Sequence, residues 1–428
     1  MKDPARNLWA SEYVNTIQTV LLPNIAHNLL DFMLSGNFRV AIDLTCSSLL
    51  LAPAPHNWDV ECSKGGSQSD VLWHAKFASE AAIPRAFVRS PFFAGEIDTT
   101  DSTSYPSAST RNQANATIAL VYASCYGPQH VPVSCAKQLA SREAFFYQRR
   151  AHKTFFAMTF DHGPCRGRWG GLDKDYYPDD VLQAFPLFVQ NGKRNSSCYD
   201  PEKDIVVPTA NALRGYQVNL STLGVKKAFE HFGDGEQLLN AARAGAGPVE
   251  TRTMLAFMVY QNSYPERRAV VKRWGGDPDI YLPRGLDHEK VVEHMLSSKF
   301  CIQSDGNAPW SPRLTEYMVL GCVPVLISDK FIPPFQRTLD WTKFTVTLAL
   351  PEIDKLKSLL LELVQNGEYL RLYENVLAAR ELFIYDADDG RTGPIPLLAF
   401  EMAAAVKEKS EGKGDLRYDL GVREPDGD

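Results

Sequence analysis

Residues 299–329 alternate between strand-like and helix-like patterns in an order that few folds accommodate. The apolar run FCIQS is followed by the polar loop DGNAPW, by a short helical stretch, SPRLTEYMVL, that ends at Gly321, and by a second apolar run, CVPVLIS. Two buried strands joined through a helix predict a βαβ unit. The first loop of such a unit faces the ligand-binding edge of a parallel sheet.

The same alternation occurs in both halves of the chain. ATIALVYASCY (116–126) and KTFFAMTF (153–160) predict buried strands, and RTMLAFMVYQ (252–261) opens a second strand–helix series. Because 428 residues exceed one ordinary core, the sequence predicts an α/β protein of two domains with parallel sheets. The expected segments are an amino-terminal extension (1–65), an amino-terminal domain (66–240), a carboxyl-terminal domain (241–405) and a polar tail (406–428).

Composition excludes several classes of function. The net charge of −6 and the absence of a basic block argue against nucleic-acid binding. No run of about 18 apolar residues is present, so the chain as given is not expected to span a membrane. Its first residues, MKDPARNLWASEYVNTIQTV, also lack the basic-then-apolar order of a signal peptide.

The eight cysteines form no CxxC pair, so a zinc ribbon or a thioredoxin-like site is not expected. Cys301 and Cys322 lie in apolar, strand-like runs and are interpreted as small core residues. The other six lie in loop-rich sequence and could form disulfides, but their pairing cannot be derived from the sequence. Glycosylation sequons at Asn115, Asn195 and Asn219 hint at a luminal protein.

An opposed charge pair, Arg313 and Glu316, lies at the start of the helix in the βαβ unit. Ser311 is a natural N-cap and Pro312 a natural first helical residue, and the free backbone N–H groups at this end suit a diphosphate. Arg313 adds a bidentate donor, and Glu316, one turn further, can accept both hydroxyls of a ribose. The structural alternative is a capping box with a local ion pair, although the ideal acidic position of such a box is Leu314.

The sequence around this pair resembles a known family. SSKFCIQSDG…SPRLTEYMVLGCVPVLISDKFIPPFQRTLDWTKFTV is similar to the carboxyl-half signature of the exostosin-like glycosyltransferases, with Tyr317 in place of their usual Ala. CYDPEKDIVVP (198–208) and FFAMTFDHGPC (155–165) are similar to further segments of that family. The resemblance implies a GT-B fold, in which two Rossmann-like domains face each other across a cleft.

The resemblance also implies an activity, which is the inverting transfer of a sugar from a UDP-sugar donor to a glycan acceptor. Ser311, Arg313 and Glu316 would bind the donor in the carboxyl-terminal domain, and the acceptor would lie against the amino-terminal domain. No metal or other cofactor is expected to be required. The implied location is the Golgi lumen, with the membrane anchor absent from this chain.

Two departures from the family pattern leave an alternative open. The stretch RTMLAFMVYQ keeps Arg252, which we count among the donor ligands, but Gln261 stands near the position where the family has Gly. The segment YQRRAHKTFF lacks the Gly and the Asp-His pair of its counterpart. The alternative is a non-catalytic partner subunit of the same fold that supports an active glycosyltransferase, and a third reading is a carbohydrate-binding protein without turnover. A homodimer or a heterodimer with a related glycosyltransferase is compatible with the first two readings.

An inverting transfer needs a base for the acceptor hydroxyl and cationic help for the leaving UDP. Asp161 and His162, at the end of a predicted strand, are the candidate base, and an Asx-type turn is the structural alternative. Arg268 is a candidate second phosphate ligand, with a solvated helix face as its alternative. The acidic runs DADDG (386–390) and DKD (173–175) are interpreted as surface turns, so no metal site is expected.

Overall fold

Two groups of short strands organise the chain. The structure is a computed structural model, and it describes residues 4–43, 83, 86–87, 90–93, 118–121, 151–158, 185–190, 192–193, 199–209, 252–261, 264–306, 311–328, 330–385 and 391–411. The strands of the amino-terminal half are β1 (Val40–Asp43), β2 (Ile118–Val121), β3 (Thr154–Met158), β4 (Leu187–Val189), β5 (Gly192–Lys193) and β6 (Ile205–Val206). Those of the carboxyl-terminal half are β7 (Met254–Phe257), β8 (Ile280–Tyr281), β9 (Ser298–Ser304), β10 (Val323–Ile327), β11 (Phe331–Ile332) and β12 (Val346–Thr347).

The first sheet has the order β1-β2-β3-β4-β6, and its neighbouring strands are parallel. Phe155 of β3 stacks on Phe188 of β4 with the ring centroids 5.2 Å apart, and both side chains are fully buried. Burial on both faces explains why the strands of a parallel sheet are continuous apolar runs. The strands predicted within 116–126 and 153–160 are therefore confirmed, as β2 and β3.

The second sheet has the order β12-β10-β9-β7-β8 and is also parallel. The helices are α1 (Pro4–Ile17), α2 (Ile25–Ser35), α3 (Pro265–Trp274), α4 (His288–Ser297), α5 (Arg313–Val319), α6 (Leu356–Gln365), α7 (Glu368–Ala379) and α8 (Ile395–Glu411). Since α5 connects β9 to β10, which pair in parallel, the predicted βαβ unit is confirmed. Among the described residues, no helix combines the length and the apolar character that crossing a membrane requires.

The amino-terminal residues join both halves of the fold, which differs from the predicted separate extension. Strand β1 pairs with β2 at the edge of the first sheet. The hydroxyl of Tyr13 in α1 donates to the carbonyl of Gly393 at 2.9 Å, and the amide of Leu22 donates to the carbonyl of Thr338 at 2.9 Å. At the other end, α8 continues to Glu411. The predicted boundary at 405 thus lies within α8, whereas the boundaries at 65 and 240 lie outside the described residues.

Several hydrogen bonds connect the two halves. β5 pairs with β11 in an antiparallel ladder, and the amide of Phe335 donates to the carbonyl of Val206 at 3.2 Å. The hydroxyl of Thr209 donates to that of Thr315 in α5 at 2.8 Å, and both side chains are buried. The segment that follows β6 therefore contacts the helix of the βαβ unit.

A disulfide joins Cys301 to Cys322, which corrects the interpretation of these cysteines as separate core residues. Both are buried, as expected, but Cys301 lies in β9 and Cys322 lies just before β10, the strand next to it in the sheet. This arrangement brings their Cα atoms to 5.7 Å, within bridging distance. The bond closes a loop of sequence separation 21 that contains α5.

Candidate functional site

The candidate site lies at the carboxyl end of β9 and the start of α5. Beyond β9 the chain continues through Asp305 and Gly306, and after residues 307–310, which lie outside the description, it resumes at Ser311. The Ser311 hydroxyl accepts a hydrogen bond from the backbone N–H of Arg313 at 3.3 Å. The helix begins at Arg313 with Pro312 as its cap residue, one position later than predicted. This is the edge of a parallel sheet where ligands bind.

Two arginines meet at this edge. Arg267, from the first turn of α3, lies against Gly306, where an added Cβ would stand 2.9 Å from its Cζ atom. Burial lowers the pKa of Arg267, and the positive charge of Arg313 lowers it further, whereas the fields of Tyr317, Tyr264 and Asp305 raise it. Two guanidinium groups in a half-buried setting, with the carboxylate of Asp305 nearby, are candidate ligands for an anion.

Glu316 and Tyr317 form the inner wall of the site. Glu316 lies one turn into α5 and is only 3% exposed, so a hydroxyl bound to its carboxylate would be shielded from water. The Tyr317 hydroxyl donates to the carbonyl of Ile302 in β9 at 3.3 Å. Burial raises the pKa of Tyr317 to about 12, so the phenol is neutral at physiological pH.

The predicted site residues have different outcomes. Ser311, Arg313 and Glu316 lie together, but the arginine beside Arg313 is Arg267 and not the predicted Arg268. Arg268 instead lines a separate pocket. The candidate bases Asp161 and His162 lie outside the described residues, as do the acidic runs at 173–175 and 386–390.

The structure gives Arg252 a structural position, which corrects its prediction as a donor ligand. Its side chain is fully buried just before β7, near the amino ends of the strands and thus at the opposite edge of the sheet. Its Nη1 atom donates to the carbonyls of Met295 and Ser298 at 2.9 and 2.8 Å, and its Nη2 atom donates to that of Leu320 at 2.6 Å. The guanidinium also lies over the ring of Tyr373, 5.3 Å from its centroid. Arg252 therefore ties the ends of α4 and α5 to the start of β9.

The spacing of apolar residues in the helix PERRAVVKRW could have identified Arg267, rather than Arg268, as the arginine that faces the site. Arg267 shares a helix face with Val270 and Trp274, three and seven positions later, and both of these are buried. Arg268 is exposed about 100° further around the helix. The apolar residues thus indicate which of the two adjacent arginines lies closer to the sheet.

Gly306→Ala should weaken anion binding without destabilising the protein. An added methyl group would take the space of the Arg267 guanidinium, which can move because it is the end of a flexible side chain. We expect UDP affinity to fall about tenfold, because a displaced guanidinium loses its charge-assisted hydrogen bonds. We expect the free energy of unfolding to change by less than about 0.5 kcal/mol. Calorimetric titration and chemical denaturation measure the two quantities, and unchanged UDP affinity would show that the position of Arg267 is unimportant.

Comparison with known proteins decides the family. The sequence profile of the Exostosin GT47 domain matches residues 101–363, a range that includes the site and strands of both sheets. This chain belongs to the exostosin GT47 family. The predicted family is thereby confirmed, and with it the GT-B fold, which the two parallel sheets of the structure match.

Three plant relatives align with this GT47 chain over only part of their lengths. A probable glycosyltransferase of Arabidopsis thaliana is 35% identical over 42% of this chain and 34% of its own length. A probable glucuronoxylan glucuronosyltransferase of the same plant is 26% identical over 66% and 60%. A probable glucuronosyltransferase of Oryza sativa subsp. japonica is 40% identical over 53% and 50%. The chain thus spans less than two thirds of each relative.

Two solved structures are similar to this chain at low sequence identity and low TM-score. The complex of Anabaena HepE with UDP and glucose is similar over 71% of this GT47 chain and 79% of its own, with 12% identity and a TM-score of 0.31. A glycosyltransferase of Rickettsia africae is similar over 95% and 94%, with 9% identity and a TM-score of 0.34.

Proposed function

We propose that this protein transfers a sugar from a UDP-sugar to a glycan acceptor with inversion at the anomeric carbon. The observation that carries the proposal is the pair Arg267 and Arg313 at the carboxyl edge of the second sheet, with Glu316 one turn further along α5. Two guanidinium groups fit a diphosphate, and a carboxylate fits the two hydroxyls of a ribose. Membership of the GT47 family and the names of the plant relatives support the same reading.

The charges of the site suit the bond that must break. In the transfer, the acceptor oxygen attacks the anomeric carbon, the bond from that carbon to the diphosphate oxygen breaks, and UDP leaves with the electron pair. Arg267 and Arg313 would stabilise the negative charge that develops on the diphosphate. A base must take the proton of the acceptor hydroxyl, and Asp161 or His162 stays our prediction for that role.

The proposed function includes a cellular compartment, the Golgi lumen, and no requirement for a metal cofactor. A disulfide between Cys301 and Cys322 fits an oxidising compartment, and plant relatives named as glucuronoxylan glucuronosyltransferases favour the Golgi lumen. Because two arginines can neutralise the diphosphate, we propose that no metal is required.

Titration of UDP into the purified protein tests the proposal. We expect binding, and we expect Arg267→Gln and Arg313→Gln each to weaken it about 10- to 100-fold, because each removes a charged donor. Arg273→Gln is the matched control, since Arg273 lies on the same helix as Arg267 but pairs with Asp354 at the surface. A parent protein that binds no UDP would contradict the donor site.

Glu316→Gln separates ribose recognition from helix capping. Glutamine keeps the shape but loses the charge, so we expect UDP affinity to fall about 10- to 100-fold while the protein stays folded. Measurement of the UDP dissociation constant beside a thermal melt distinguishes the two roles. A lower melting temperature of the Glu316→Gln protein with UDP affinity retained would instead support the capping alternative.

A non-catalytic partner subunit is the second candidate, and Gln261 is the observation that favours it. This exposed residue follows β7 at the same sheet edge, where the family usually has Gly. A protein that binds UDP but transfers no sugar from a panel of UDP-sugars would support the partner role. In that case we would expect it to dimerise with an active relative.

A further inference from the structure

A pocket on a different face of α3 from Arg267 carries two cationic side chains. Its volume is about 390 Å³, and its lining residues are Tyr260, Arg268, Ala269, Val271 and Lys272. This volume lies within the range of about 300–1,000 Å³ that ligand pockets occupy. None of these lining residues is acidic, and none belongs to the group formed by Arg267, Arg313 and Glu316.

Arg268 and Lys272 place two like charges on one face of α3. Arg268 and Lys272 are four positions apart on one helix face, an arrangement of like charges that destabilises a helix. Lys272 lies in the last turn of α3, where the helix dipole favours a cation. Arg268 lies near the start of α3, where the helix dipole does not favour a cation. This basic surface occurs in a chain with a net charge of −6, which as a whole repels anions.

Tyr260 is fixed in the wall of the pocket by the backbone. Its amide donates to the carbonyl of Pro283 at 3.3 Å, and its carbonyl accepts from the amide of Gly285 at 2.8 Å. The pocket therefore combines an aromatic residue whose backbone is held in place, apolar surface from Ala269 and Val271, and two cations. These are the parts that a sugar ring with an acidic substituent would contact.

We propose that this pocket binds an anionic sugar unit of the glycan acceptor. This inference rests on the proposed function, because it assigns the acceptor class of the same enzyme. Arg268 and Lys272 hold the carboxylate or sulfate of the unit, and Tyr260 packs against its ring. Tyr260 follows the end of β7, at the same sheet edge as the proposed donor site, so an acceptor whose reacting end lies against the amino-terminal half would reach the pocket with a unit further along its chain.

Calorimetric titration of the full chain with three oligosaccharides tests the proposal. The probes are tetragalacturonate, a sulfated tetrasaccharide and neutral maltotetraose, and each is titrated with and without UDP. We expect at least one anionic probe to bind, with an affinity that falls as salt rises, and we expect maltotetraose to bind at least about tenfold more weakly. Comparison of the carboxylated and sulfated probes identifies which acidic group is recognised. A parent protein that binds neither anionic probe, or that binds maltotetraose equally well, overturns the proposal.

A pair of charge-matched variants locates the binding. Arg268→Gln/Lys272→Gln should weaken the anionic probe at least about tenfold while UDP affinity stays within about twofold. Lys355→Gln/Arg371→Gln removes the same charge at exposed ion pairs with Glu352 and Glu368 and should leave both affinities unchanged. Equal losses of affinity for the anionic probe in the two double variants would show that its attraction to the protein is non-specific, and would overturn the assignment of binding to the pocket.

A charge-preserving double variant and separate titrations of UDP and glycan distinguish the possible outcomes. Arg268→Lys/Lys272→Arg preserves the charge and should retain most of the affinity for the anionic probe, which excludes a folding defect as the cause of the loss. UDP binding without glycan binding contradicts this inference and leaves the donor site intact. Glycan binding without UDP binding contradicts the proposed enzyme.

Discussion

Arg252→Met should lower the free energy of unfolding by about 4 kcal/mol. The substitution removes a buried charged donor, so three backbone carbonyls lose the hydrogen bond that Arg252 donates to them. The carbonyls belong to Met295 near the end of α4, Ser298 at the start of β9 and Leu320 just after α5. Methionine fills much of the space but donates nothing. Chemical denaturation followed by tryptophan fluorescence measures the loss.

Arg273→Met is the matched control for this prediction. Arg273 lies over the ring of Trp274 and pairs with Asp354 at the surface, so its loss should cost less than about 1 kcal/mol. Equal stability of the two variants would contradict the structural position of Arg252. An Arg252→Met protein that folds normally but no longer binds UDP would restore the original donor prediction.

Replacement of both bridged cysteines, Cys301→Ala/Cys322→Ala, should cost about 3 kcal/mol. The bond closes a loop of sequence separation 21, and a loop of this order restricts the unfolded chain by about that amount. Denaturation of the parent protein with and without a reducing agent gives an independent measure. The reducing agent should lower the stability of the parent by about 3 kcal/mol more than that of the double variant, because any bridges among the other six cysteines are reduced in both proteins.

The loop that the disulfide closes also contains the candidate donor site. Asp305, Ser311, Arg313 and Glu316 all lie between the two cysteines. We therefore expect the reduced protein to bind UDP more weakly, since the ends of the loop are no longer fixed to each other. Retained stability and unchanged UDP affinity after reduction would contradict both parts of this prediction.

The order of strands and helices was the most predictable part of the protein. For the βαβ unit from β9 to β10, the spacing of apolar residues, the length of the helical stretch and the position of Gly321 all predict the same order of elements. The structure has that order. Gly321 has φ of 70°, the left-handed conformation expected at the end of a helix. Local patterns of this kind are determined by neighbouring residues, which the sequence contains directly.

The missed features depend on contacts between distant segments. The partners of Arg252 lie 43 to 68 positions away, so a buried arginine could not be distinguished from an exposed ligand. The partner of Cys301 depends on which strands are neighbours, and β1 was missed because only its pairing with β2 identifies it. Arg267 differed from Arg268 only in helical phase, a distinction that the sequence did contain.

The hydrogen bond between Thr209 and Thr315 has a thermodynamic consequence. Thr315 precedes Glu316 in α5, whereas Thr209 belongs to the amino-terminal half, against which the acceptor is expected to lie. If an acceptor shifts the position of Thr209, it changes the free energy of the helix that bears the donor ligands. Linkage is reciprocal, so UDP must then change acceptor affinity by the same factor. The two substrates of the transfer would then be cooperative ligands, coupled through one hydrogen bond between the two halves of the protein.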